Sequence, residues 1–211
     1  NINDTTVETL LAVCKENAYL FHDYFIEKAK LIGMKKLRRY DLYAPISSKN
    51  IPKFTFKNAT RLVLDTFHKF DPSFALYTER LFKENHIDSE IRNGKTGGAF
   101  CYTVAPKRTP YVLLNFDGMM RDVSTMAHEF GHAIHSMYAS DKPILVSHAP
   151  LPLAETASVF GEMLLNEEIY KKLNKEKKKI FLAEQIDDIY ATVMRQAFFT
   201  IFEIEAHKQI V

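Results

Sequence analysis

The chain has 211 residues, enough for one substantial hydrophobic core or for part of a larger domain, and too few to suggest two full domains. Apolar residues make up 46% and charged residues 26%, a balance that excludes a disordered or fibrous chain. The net charge is only +2 and the basic run Lys171 to Lys179 reads as a solvated helix end, so no nucleic-acid or membrane partner is indicated.

Cys14 and Cys101 lie far apart and neither has a second cysteine nearby, which points to reduced thiols rather than a disulfide or a metal knuckle. No segment approaches the roughly 18 uninterrupted apolar residues of a membrane span, and the polar start Asn1 to Asp4 lacks the character of a signal peptide. These features lead us to expect a cytoplasmic protein. The chain opens without Met and stops at Val211 inside a helical pattern, so we also expect a fragment of something longer.

From the N-terminus, Thr5 to Glu8 reads as a capping box. Val7, Leu11, Cys14, Ala18, Phe21, Phe25 and Ile32 then repeat at helical spacing, predicting one long amphipathic helix that ends near Gly33. A loop follows through Asp41, Pro45, Ser47, Ser48 and Pro52. Leu62, Val63, Thr66, Phe67 and Phe70 predict a second helix, and Asp71-Pro72 starts a third. Helical periodicity fails between His86 and Thr96. The runs Ala99 to Val104 and Tyr111 to Asn115, joined through Pro106 and Pro110, predict a small hairpin.

From about Met119 the helical period returns, with Val123, Met126, Ala127, Phe130, Ile134 and Met137 forming one apolar stripe. After a loop containing Pro143, Pro150 and Pro152, the stretches Leu153 to Leu173 and Glu176 to the end read as helices. The prediction is a mainly α chain with a small β-hairpin beside the central helix.

That central helix contains His128-Glu129-Phe130-Gly131-His132, the HExxH pattern. Residues four apart lie one turn apart on the same helix face, so both imidazoles can reach one ion. Glu129 projects from an adjacent position, too far round the helix to join them as a ligand but close enough to act as a base. We therefore expect one Zn2+ per chain, held by His128 and His132, with Glu129 as the catalytic base.

A catalytic zinc takes three protein ligands. The extended pattern HExxHxxGxxH is excluded, because His135 and Tyr138 stand where it needs Gly and His. A carboxylate is then favoured, and Glu155, near the start of the next helix, is the choice. His148, Asp141 and Glu162 compete, with ordinary roles as loop polar, helix cap, and supporting or surface carboxylate. His135, one turn beyond His132, reads either as a substrate or supporting contact or as a packing histidine. Gly131 costs helix propensity, so another element should approach the backbone closely there; the hairpin is the expected neighbour.

The segment His128 to His135, with the acidic segment Ala154-Glu155-Thr156-Ala157-Ser158, resembles the thimet oligopeptidase and oligoendopeptidase F family. Gly97-Gly98-Ala99-Phe100, Pro110 to Phe116 and Ala154 to Ser158 are most similar to its oligoendopeptidase F branch, and Tyr40 to Pro45 is similar as well. The resemblance spans essentially the whole chain, whereas family members are longer at both ends. It implies a helical zincin-type catalytic core, of which 1–211 is a single segment: 1–95 the helical part, and 96–211 the hairpin, the zinc helix and the third-ligand helix.

It further implies an endopeptidase cleaving internal bonds of short peptides in a deep channel, with the rest of the peptidase as partner. The segment Gly98, Ala99, Phe100, Cys101 and Tyr102 would bind substrate along the edge strand. The family's downstream substrate-binding His and Tyr residues should lie beyond this chain, leaving the fragment weakly active or inactive. A helical zinc carboxypeptidase and a non-catalytic zinc-stabilised peptide-binding segment are the alternatives.

Overall fold

The structure is a computed structural model that describes residues 2–46 and 53–210. The expected first helix is two helices, α1 (Asp4–Glu16) and α2 (Ala18–Leu31). Asn17 separates them, with φ −97° and ψ 8°, and its amide donates to the Val13 carbonyl at 2.8 Å. Asparagine competes in this way with the backbone ladder, so apolar periodicity can run through a break in the helix itself. The cap also differs from expectation. Asn3, not Thr5, accepts from the Thr6 amide at 2.8 Å, and the helix begins two residues earlier than the Thr5 capping box implies.

Part of the following loop, Ser47, Ser48 and Pro52, lies outside the described residues. Both predicted helices beyond it are present. α3 (Phe56–Phe70) is capped by Thr55, and α4 (Pro72–Lys83) by Asp71, whose carboxylate accepts from the Ser73 amide at 2.7 Å.

The polar stretch after α4 hides a strand. β1 (Ile87–Asp88), β2 (Phe100–Tyr102) and β3 (Tyr111–Leu113) form a three-stranded sheet in the order β1-β3-β2. The hairpin pair β2 and β3 is antiparallel, with Cys101 opposite Val112, while β1 joins β3 in parallel. Two residues are too few to display alternation. Lys95 secures this corner. Its side chain is only 2% exposed, and its ammonium donates to the carbonyls of Asp88, Glu90 and Leu114 and to the Asp88 carboxylate.

α5 (Met120–Tyr138) follows, and all six residues of its predicted stripe are buried. The expected helix from Leu153 is divided into α6 (Leu151–Ala154) and α7 (Thr156–Lys172), with Glu155 at the junction instead of inside a helix. The chain ends with α8 (Lys175–Ile189), one π-helical turn (Tyr190–Met194) and α9 (Arg195–Ile210).

The chain divides into two compact units. One comprises residues 1–49 and 173–211, where Cys14, Met194 and Ala197 form a small core with Leu11, Ala18, Phe21 and Tyr190 packed around it. In this unit the fully buried Lys28 ammonium donates to the Asp187 carboxylate at 2.5 Å and to the Leu42 carbonyl at 2.6 Å. The other unit, residues 50–172, is built around α5, which packs most extensively on α7 and also contacts α3, α4 and the sheet. Its core includes Val63, Phe67, Leu81, Val112, Met126, Phe130, Ile134 and Leu165. No described helix is long and apolar enough to cross a membrane.

Candidate metal centre

Two glycines set the distance between α5 and α7. A Cβ added to Gly131 would lie 2.7 Å from the Ser158 Cα and 2.9 Å from the Ala157 carbonyl carbon, and one added to Gly161 would lie 2.8 Å from the Ala127 carbonyl oxygen. The close approach expected at Gly131 is therefore real, but the neighbour is the start of α7 and not the hairpin. Each contact sits beside residues of the cluster. Gly131 precedes His132, and its α7 contacts follow Glu155; Gly161 precedes Glu162, and its α5 contact Ala127 precedes His128.

The result is a group of three side chains that could hold a metal ion, His128, His132 and Glu155, whose ligand atoms lie within 4.8 Å of one another. Nε2 of His128 is 3.2 Å from Glu155 Oε2, and Nε2 of His132 is 3.3 Å from the same oxygen. A tetrahedral zinc site with bonds of about 2.0–2.2 Å has ligand atoms about 3.4 Å apart, so this donor set has the chemistry and the size for zinc.

The ligand candidates are themselves held. The Ser158 hydroxyl donates to Glu155 Oε2 at 2.7 Å, and His128 Nδ1 is 2.5 Å from Glu162 Oε1. A backbone hydrogen bond at Ala154 holds His132. Of the competing carboxylates, Glu162 thus stands behind His128 rather than in the three-residue group. Asp141 is not in that group either, and His148 lines the neighbouring cavity.

That cavity, with a volume of 660 Å³, is lined by His128, Glu129, His132 and Glu155, by Ala99 to Val104, and by His135, Ser136 and Ser147 to Ala149. Four of the five segment residues implied for substrate contact, Ala99, Phe100, Cys101 and Tyr102, belong to this wall; Gly98 is one residue short of it, in a left-handed turn at φ 84°. The Thr103 hydroxyl donates to the Ser136 hydroxyl at 2.7 Å and ties the wall to α5, a link the sequence did not reveal. Lys95 was similarly concealed. Glu162 was already in view as a competing ligand or a supporting carboxylate, and it takes the supporting place behind His128.

The electrostatics separate the acidic groups. Burial pushes the Glu129 carboxyl up to about 7; the positive charge of His128 and the Cys101 backbone amide oppose this, and Glu155 and Glu162 add to it. Glu155 is lowered: its limited burial acts upward, but the Ser158 hydroxyl and the two histidines outweigh it. For His128, burial disfavours the charged form, yet Glu162, Glu129 and Glu155 raise it overall. His132 is lowered, chiefly by burial.

A mainly helical fold, with a small sheet beside α5 and two α5 histidines meeting Glu155 from the α6–α7 junction, has the architecture of a helical metallopeptidase core. The whole chain, residues 1–211, matches the model of Peptidase family M3, and the chain belongs to that family. It is 31% identical to an oligoendopeptidase F homolog of Borreliella burgdorferi, over all of this chain and 36% of that protein. It is 28% identical to the chromosomal oligoendopeptidase F of Lactococcus lactis subsp. cremoris, over 98% of this chain and 34% of that one. Among solved structures, one described as a peptidase from Chlamydophila abortus is 32% identical with a TM-score of 0.84, covering 99% of this chain and 35% of its own. The fold of PZ peptidase A, solved with an inhibitor, is similar at a TM-score of 0.75 and 19% identity, over 89% of this chain and 34% of its own. The chain spans about a third of the length of these relatives.

Proposed function

We propose that the protein containing this chain is a zinc-dependent endopeptidase that cleaves internal bonds of short peptides. The observation that carries this reading is the convergence of two imidazole Nε2 atoms on one Glu155 oxygen, at 3.2 and 3.3 Å, beside a cavity also lined by the buried Glu129. His128, His132 and Glu155 would hold the ion. Zinc in such sites supplies Lewis acidity toward a water and a scissile carbonyl.

The remaining chemistry belongs to the chain. Glu129 is oriented by the Cys101 backbone amide and lies outside the ligand group. It accepts a proton from the attacking water and returns it to the leaving amine. A buried carboxylate beside the ligand group, bordering the cavity where water and peptide meet, is placed to act as base in the first step and as acid in the second. Because β2 is an edge strand on the cavity wall, the segment Ala99 to Tyr102 can bind an extended peptide through main-chain hydrogen bonds. His135, on the same wall, contacts the substrate. The names of the oligoendopeptidase relatives support a peptide substrate, and the free thiols Cys14 and Cys101 support a cytoplasmic setting.

The test is hydrolysis of short internally quenched peptides by the full-length protein, with products identified by mass spectrometry. Internal cuts that stop on chelation and resume with zinc are the expected result. Release of single C-terminal residues would make the enzyme a carboxypeptidase, and zinc-dependent binding without cleavage would make it a binding protein.

A further inference from the structure

We propose that Glu162 is a positioning residue for the metal, acting through His128; the inference rests on the zinc reading above. Neutral imidazole carries one N–H, and the other nitrogen keeps a free lone pair. With Nδ1 of His128 at 2.5 Å from the Glu162 carboxylate, that proton is donated to Glu162 and Nε2 is left bare, facing Glu155 Oε2 at 3.2 Å. The same contact opposes a flip of the ring, which would exchange the two nitrogens and turn a proton toward the ion.

The contact is built by packing. Gly161 permits α7 to approach Ala127, and the next residue on each helix completes the pair. Glu162 is half-buried, its side chain 31% exposed, so its charge is only partly screened. The two histidines are consequently unequal. His132 is held by a backbone group at Ala154, whereas His128 has a carboxylate behind it, which makes it the more basic donor.

The experiment measures zinc affinity of the full-length protein by competition with a chromophoric chelator, alongside the imidazole 15N NMR spectrum of the zinc-loaded form. Glu162→Ala should weaken zinc binding on the order of 10- to 100-fold with an unchanged circular dichroism spectrum in the absence of metal. Glu162→Gln retains an acceptor oxygen and should recover most of that loss. In the parent protein, His128 should show a downfield Nδ1–H signal with Nε2 on the metal. A folded Glu162→Ala variant that binds zinc as tightly as the parent overturns the proposal. So does a parent spectrum with His128 bound through Nδ1, a result that needs no variant to fold. If the parent takes up no zinc, or if His132→Ala leaves uptake unchanged, the metal reading itself fails and this inference goes with it.

Discussion

Gly131 lies against Ser158 so closely that a methyl group on its Cα would stand 2.7 Å from the Ser158 Cα. An exposed helical glycine replaced by alanine gains up to about 1 kcal/mol of helix stability. Here the sign should reverse. Gly131→Ala and Gly161→Ala each force α5 and α7 apart, and overpacking of this kind costs about 1–3 kcal/mol. Urea unfolding should show both losses, and zinc affinity should fall with them because Gly131 adjoins His132 and the start of α7 after Glu155, while Gly161 adjoins Glu162 and packs beside His128. A stabilised Gly131→Ala variant with normal zinc binding would mean that the helices do not need this spacing.

The metal and proton roles should separate by substitution. Glu155→Ala removes the oxygen that both imidazoles face, and zinc content per chain should drop sharply. Glu129→Gln leaves those three side chains intact, so zinc should stay while peptide turnover falls by about 10²–10⁴-fold. Metal analysis and a peptide assay on the same preparations distinguish the two. Undiminished turnover in Glu129→Gln would assign the base elsewhere.

Burial, with the negative charge of Glu129 adding to it, pushes the Cys101 thiol up to about 12. Only the thiolate reacts with iodoacetamide, so at pH 8 labelling of Cys101 in the folded protein should be on the order of a thousandfold slower than that of an ordinary thiol with a pKa of about 8.5. Because the folded form holds its proton more tightly, the stabilisation linked to this group is complete below about pH 8.5 and is lost as pH rises toward about 12. Peptide mass spectrometry after timed labelling at several pH values reads the rate. Labelling as fast as a free thiol at pH 8 would contradict the burial.

Lys28 and Asp187 give a test in the other compact unit. The ammonium has no exposure, and its charged partner is Asp187 at 2.5 Å. Asp187→Asn removes the carboxylate that the buried ammonium directly contacts and leaves Glu184 as a charged neighbour, and breaking such buried pairs costs about 3–5 kcal/mol. The double replacement Lys28→Met with Asp187→Leu should recover most of that loss, since apolar pairs often substitute without penalty. Thermal unfolding of the single and double variants decides the matter; equal losses in both would show that packing, not charge, dominates there.

Much of the fold could be read locally. The stripe from Val123 to Met137 is buried as its spacing demanded, and α3, α4 and the β2-β3 hairpin follow their apolar and turn residues. The misreadings share a cause. Asn17 interrupts a helix through its own side chain, β1 has only two residues and needs β3 as a partner, and Gly131 did not disclose which element would fill the space beside it.

The sequence by itself determined the relation among His128, Glu129 and His132, because an α-helix converts spacing along the chain into direction through hydrogen bonds between near neighbours. It could nominate Glu155 but not bring it to the histidines. The tertiary structure decided that, and with it the pairing of Glu162 to His128, because both depend on how closely α7 lies against α5. That separation is set by two glycines meeting backbone atoms of the opposite helix, a contact between segments whose distance in sequence carries no record of their distance in space.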